Sequence, residues 1–229
     1  MADITRRLAL LETKPVGDLV VHEIYRSVQG ESTFAGLPCV FVRLAVCDAR
    51  CSWCDTPHAF FEGTRMRPAA VVEQVMAFGC PLAEITGGEP LLQAEVFPLM
   101  TELCDRGLEV LLETSGAHDV APVDRRVHII MDIKCPDSGE HEHNRRENLD
   151  ALKPTDQIKL VIASRADFDW AADVVTKHQL DRRFTVIFSP AWGLVEPVSL
   201  VEWLLGSGLR ARMQLQMHKY IWDPRARGV

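Results

Sequence analysis

Apolar residues fall along this chain in two alternating patterns. Short runs at residues 39–46, 83–86, 109–113, 127–133, 157–162, 184–188 and 212–217 have the length and composition of strands. Between the early runs, Val71, Val72, Val75 and Met76, and then Leu92, Val96, Leu99, Met100 and Leu103, recur at the spacing of one helical face. Pro68 and Pro197 suit first helical turns, where a missing N–H leaves no bond unmade. Strands alternating with helices predict an α/β fold with parallel pairing and right-handed crossovers. In a barrel of this kind the chemistry gathers at the C-terminal ends of the strands. No linker, repeat or low-complexity tract divides residues 1–229, so one domain is expected, with 1–20 as an N-terminal extension and 223–229 as a tail.

Composition narrows the class of partner. The 229 residues are 47% hydrophobic and 25% charged, ordinary for a globular domain that buries one core. A formal charge of -7 argues against a nucleic-acid surface, because duplex binding is driven by Lys and Arg on phosphates, so a small-molecule substrate is expected. No apolar run approaches the roughly 20 residues of a membrane span, and residues 1–20 lack a secretory pattern. A cytoplasmic protein is expected. Seven cysteines, an odd number, fit a reducing compartment better than a disulfide framework.

Three of those cysteines, Cys47, Cys51 and Cys54, sit within eight residues directly after an apolar run. Spaced three and then two apart, their thiolates can face one centre from one loop, and soft sulfur ligands suit zinc or an iron-sulfur cluster. Two occupants are open on this pattern. His58 would complete a Cys3His zinc site in a structural binding module. Alternatively, three ligands hold a four-iron cluster with one iron free for a cofactor, and Trp53 lies over it as an apolar lid. Elsewhere, Gly87 and Gly88 permit close backbone approach. Glu113, Ser115 and Lys134 fall at strand ends, facing a pocket. Arg43 interrupts an apolar strand, so its charge needs an anion, from either a ligand or an acidic neighbour. Residues 136–148, which include His141, Glu142 and His143, read as a solvated loop rather than a metal site. Cys39, Cys80 and Cys104 read as buried small hydrophobes, with Cys135 at a strand end.

The cysteine spacing, with an aromatic residue before the last cysteine, resembles that of radical S-adenosylmethionine enzymes, and Thr86-Gly87-Gly88-Glu89-Pro90 resembles their GGEP motif. Within that superfamily the chain is similar to the 7-carboxy-7-deazaguanine synthase family. The likeness is carried by Val28-Gln29-Gly30-Glu31, Phe41-Val42-Arg43, Cys54-Asp55-Thr56, Glu113-Thr114-Ser115-Gly116 and Gln216-Met217-His218-Lys219-Tyr220, spanning roughly residues 21–222. Departures occur at Ser32, where QGEG is common, at Asp132-Ile133 before Lys134, where Ser-Pro-Lys is common, and in the extended tail.

The resemblance implies a partial, abbreviated parallel β/α barrel. It implies a 4Fe-4S cluster on Cys47, Cys51 and Cys54, with S-adenosyl-L-methionine held by Trp53, Cys54, Asp55, Gly88, Glu89, Ser115 and Lys134. It implies magnesium at Thr56, and a substrate held by Val28, Gln29, Gly30, Arg43, Thr86 and His218. The implied reaction is a lyase step turning 6-carboxy-5,6,7,8-tetrahydropterin into 7-carboxy-7-deazaguanine with loss of ammonia, on the route to deazapurine nucleosides such as queuosine. No side chain is then the main acid or base. An electron donor such as flavodoxin or ferredoxin and a homodimer are implied as well. A radical activase acting on a protein glycine is the rival enzyme.

Overall fold

The computed structural model describes residues 8–229, so the first seven residues of the expected extension lie outside the described residues. Nine strands form one sheet. They are β1 (Leu19–Val28), β2 (Pro38–Leu44), β3 (Thr64–Met66), β4 (Leu82–Gly87), β5 (Glu109–Thr114), β6 (His128–Asp132), β7 (Gln157–Ile162), β8 (Thr185–Pro190) and β9 (Arg212–Met213), in the order β3-β1-β2-β4-β5-β6-β7-β8-β9. Every pair from β2 through β9 is parallel, while β1 pairs antiparallel with both β2 and β3. With β3 and β9 at opposite edges, the sheet is a partial β/α barrel that does not close.

Four longer helices cover its outer side: α1 (Pro68–Ala77), α2 (Val96–Asp105), α3 (Arg165–His178) and α4 (Pro197–Ser207). Both α1 and α4 begin with the predicted proline. The β5–β6 connection has no helix, and the β6–β7 connection has only 3-10 turns and the single turn Asn148–Ala151. The barrel is therefore abbreviated. Period-two alternation divides the strand residues between two faces. Val40, Val42, Ile85, Leu112, Met131, Leu160 and Phe188 pack outward with Val75, Leu99, Met100, Phe168 and Val175 of the helices. Inward, Cys39, Phe41, Leu82, Leu111 and Ile130 make a small apolar floor under Tyr25 and Phe34. Nearer the strand C-termini, that same face carries Arg43, Glu84, Thr86, Glu113 and Asp132.

Several boundaries differ from the pattern-based expectation. β1 lies partly within the expected extension and escaped notice because its interior is polar, with His22, Glu23 and Arg26. β9 has two residues instead of six. Beyond it Gln214 Nε2 donates to Ser32 O at 2.7 Å and Met217 N to Gly30 O at 3.0 Å, which draws residues 214–217 across to the β1–β2 turn. Leu92 belongs to the 3-10 turn Pro90–Leu92 rather than α2, and Met76 is exposed. Cys39 and Cys80 are buried as expected, and Cys104 is half-buried.

The end of β4 passes against the end of β2 at backbone distance. Gly87 has φ +150, and a Cβ there would stand 2.2 Å from Leu44 O; one on Gly88 would stand 2.1 Å from Val46 O. Gly87→Ala should therefore destabilise the protein by roughly 3 kcal/mol or more, from overlap with backbone that cannot retreat. Gly206, inside α4 with open space around it, is the control, and Gly206→Ala should stabilise by about 0.5–1 kcal/mol. Denaturant unfolding of both variants checks the contrast.

Candidate active site

The cysteine loop is held from several sides. Val46, at φ +78, turns the chain out of β2, and its N–H donates to Ala59 O at 2.8 Å. Arg50 lies over the Phe60 ring at 3.9 Å and donates to Cys47 O at 2.8 Å. The segment read as a solvated loop is largely exposed, and it also braces the cysteine loop. Glu140 accepts from Arg50 N at 2.7 Å, Ser138 O from Ser52 N at 3.0 Å, and Asp137 O from Ser52 Oγ at 2.6 Å. His141 meets Trp170 edge-on and His143 Nδ1 lies 2.8 Å from Glu140, so the two histidines are engaged separately.

Cys47, Cys51 and Cys54 all line one cavity at the C-terminal ends of the strands, and none is in a disulfide. Burial pushes the Cys47 thiol up to about 12, with Glu89 adding to it, and Cys51 up to about 11 against the opposing pull of Lys134. A cationic centre is what would stabilise these sulfurs as thiolates. Among the described residues, the one set of three ligating atoms within 4.8 Å of one another is His22, Glu23 and His58. His58 packs on the His22 ring at 5.0 Å rather than completing the cysteine set.

Most of the residues singled out from the sequence surround the same cavity. Val28, Gln29 and Gly30 reach it from the end of β1, with Thr86, Gly88, Ser115, Trp53, Asp55, Thr56, Lys134 and His218 around the wall. Gly30 and His218 are in close approach, since a Cβ on Gly30 would stand 2.5 Å from His218 Nδ1. Lys134 pairs with Asp132 at 2.7 Å and lies 4.8 Å from the Trp53 ring centre. Asp132, at one of the departures, thus balances the neighbouring lysine, and its buried Oδ1 has no hydrogen-bond partner. Ser32, at the other, holds φ +62, a conformation glycine adopts without strain. Thr56 Oγ1 lies 3.9 Å from Cys54 Sγ. Burial works to raise the Asp55 carboxyl, but Lys219 at 2.9 Å outweighs it and holds Asp55 at about 2.

Three of the residues singled out are already engaged by neighbours. Glu89 is fully buried and accepts from Leu91 N at 3.0 Å, Thr114 Oγ1 at 2.9 Å and Ser115 N at 2.7 Å, so its carboxylate ties the β4 and β5 ends together. Arg43 lines the cavity, yet its Nε donates to Glu23 at 2.8 Å and an Nη to Tyr25 Oη at 2.9 Å, the acidic-neighbour alternative. Glu113, on the cavity wall, pairs with Lys159 and accepts from Thr86, whose hydroxyl lies 3.3 Å away. Cys135 is buried outside the cavity.

The sequence reading missed the cavity's charged floor. Lys159 is buried between Glu31, at 3.1 Å, and Glu113, and Glu84 lies beside them, accepting from Gln29 Nε2. Burial opposes the Lys159 charge, but Glu113 and Glu31 outweigh it and raise its pKa well above the usual range. Burial, reinforced by Glu113, pushes the Glu84 carboxyl well up. The signal was present in the sequence: Lys159 and Glu84 each interrupt an apolar strand, as Arg43 does.

The family model described as the radical SAM superfamily matches residues 42–137. Together with the open barrel and its cysteine loop, this defines a radical S-adenosylmethionine protein. The chain is 50% identical over 214 residues to the 7-carboxy-7-deazaguanine synthase of Chlorobaculum tepidum, covering 92% of this chain and 97% of that protein. It is 45% identical over 224 residues to the enzyme of the same name from Koribacter versatilis, covering 91% and 99%. The crystal structure of QueE from Escherichia coli shares the fold, with a TM-score of 0.71 at 21% identity over 86% of this chain and 94% of that one. The chain belongs to the 7-carboxy-7-deazaguanine synthase family.

Lys159→Met should leave Glu31 and Glu113 as buried, uncompensated carboxylates, at a loss of about 3–5 kcal/mol. Adding Glu113→Gln should recover part of that loss. Unfolding of the single and double variants measures the coupling, and equal stability of Lys159→Met and the parent would remove the lysine's structural role.

Proposed function

We propose that this chain is a lyase that converts 6-carboxy-5,6,7,8-tetrahydropterin to 7-carboxy-7-deazaguanine with loss of ammonia. The observation that carries the reading is the meeting, round one cavity, of the cysteine loop with Gln29, Gly30, Glu31, Arg43, Gln216, His218 and Lys219, in a chain 50% identical to a synthase of that name. When bound, a reduced 4Fe-4S cluster and S-adenosyl-L-methionine would supply the one-electron chemistry that starts the ring contraction.

Cys47, Cys51 and Cys54 would hold the cluster. Gly88 would offer backbone to the cofactor, and Trp53, Asp55, Ser115 and Lys134 would flank it. The buried charges suit the substrate. A pterin presents a row of N–H donors at its amino-pyrimidinone edge, and Glu31, Glu84 and Glu113 present acceptors across the floor, with Gln29, Thr86 and His218 alongside. Val28 and Gly30 shape that end. At the other end, Arg43 would meet the substrate carboxylate by exchanging part of its pairing with Glu23. Thr56 would offer its hydroxyl oxygen to magnesium, a hard cation suited to oxygen ligands. Enclosure by the walls and by Arg227 of the tail would limit water at the reacting carbon.

A flavodoxin- or ferredoxin-type reductant and a homodimeric assembly are part of the proposal, as is a cytoplasmic setting. Among the described residues no helix is long and apolar enough to cross a membrane. The zinc-module alternative is disfavoured by the His58 placement, and the activase alternative by the relatives.

Protein prepared without oxygen should carry about four iron and four sulfide per chain, and should release 7-carboxy-7-deazaguanine and ammonia from the pterin. Cys47→Ala, Cys51→Ala and Cys54→Ala should each lose the iron, while Cys39→Ala keeps it. One zinc and no iron in active protein would overturn the assignment.

At the carboxylate end, Arg43→Lys keeps charge but loses the planar fork, so substrate KM should rise about tenfold or more with iron content unchanged. Thr56→Val should blunt the response to magnesium. Steady-state kinetics across a magnesium series reads both.

A further inference from the structure

We propose that His22, Glu23 and His58 form a second metal site, for a divalent transition ion of the zinc class, at the rim of the cavity and apart from the cysteine loop. Neighbouring residues of a regular strand point to opposite faces, so His22 and Glu23 would ordinarily diverge. Here β1 is bulged: from Val21 to Glu23 it advances two residues while its partner β2 steps only from Leu44 to Arg43. A bulge re-aims side chains, and this one leaves His22 and Glu23 able to converge. His58 joins them from the 3-10 turn Pro57–Phe60, its ring 5.0 Å from that of His22.

The ligating atoms of all three lie within 4.8 Å of one another. Around a tetrahedral ion with bonds of about 2.0–2.2 Å, ligand atoms stand ~3.4 Å apart, so rotamer adjustments of order 1 Å would close the set. Two imidazoles and a carboxylate select a borderline ion such as zinc over magnesium. The hydrogen bonds behind the ligands match that use. Glu62 O lies 2.8 Å from His22 Nδ1 and can only accept, which puts the proton on Nδ1 and leaves the Nε2 lone pair outward. Glu23 Oε1 accepts from Arg43 Nε at 2.8 Å, leaving Oε2 as the ligand atom. All three residues are half-buried, open enough for an ion to enter. Arg43, and Arg227 from the tail, whose charge acts on His58, oppose a further cation, so binding is of moderate strength. A bound ion would staple β1 to the segment leaving the cysteine loop.

The test is equilibrium dialysis of the cluster-loaded enzyme against zinc, with iron and zinc measured together and X-ray absorption at the zinc edge. The proposal expects one zinc per chain alongside full iron, with only nitrogen and oxygen in the first shell. His22→Gln and His58→Gln should each weaken zinc by roughly tenfold or more at unchanged iron content. Iron content and circular dichroism report that the variants are folded. Absence of zinc from the parent, zinc retained in both variants, or zinc gained only as iron is lost and bound through sulfur would each overturn it.

Discussion

The close pass of β4 over the end of β2 is the constraint on which the rest of the site depends. Gly88 N donates to Leu44 O at 3.0 Å and Glu89 N to Val46 O at 2.9 Å, so the chain entering the cysteine loop is fastened to the turn leaving β4. No side chain fits between them. Glu89 extends the same fastening to β5 through Thr114 and Ser115. Three strand ends and the first cysteine are thereby held in one frame, and the cavity opens beyond it.

Into that frame the sheet places a group of buried and half-buried charge pairs. Lys159 answers Glu31 and Glu113, Lys134 answers Asp132 and Arg43 answers Glu23, while Lys219 answers the more exposed Asp55. Buried pairs of this kind add little net stability over apolar packing, because desolvation consumes most of the attraction. Their value here is position: each holds a polar group against the cavity wall before any ligand arrives. Glu84, whose hydrogen-bond donor is the neutral amide of Gln29, has its carboxyl pushed well up by burial and by the neighbouring Glu113.

Relatives fix the family, and the open barrel agrees with it, yet the site contains contacts that no motif announces. The loop at residues 136–148 looks like solvated surface in sequence because it is polar. In the folded chain those polar groups meet the backbone of residues 50–52. Likewise, Arg43 could be assigned an anionic partner from its apolar surroundings, whereas whether that partner is Glu23 or a ligand depends on a neighbouring strand.

What the sequence determined by itself is whatever is carried by local spacing. The cysteine loop, the paired glycines, the proline-started helices and six of the parallel strands were legible because period, composition and motif lie within a few consecutive residues. Only tertiary structure decided the rest. β1 reads as polar until β2 and β3 flank it. That Glu89 joins Thr114 and Ser115 at the end of the next strand shows only in the folded sheet. Lys159 joins Glu31 across 128 positions of sequence, and His22 meets His58 across a bulge. Such pairings depend on which strands become neighbours and in what register, and that is a property of the whole sheet rather than of any segment.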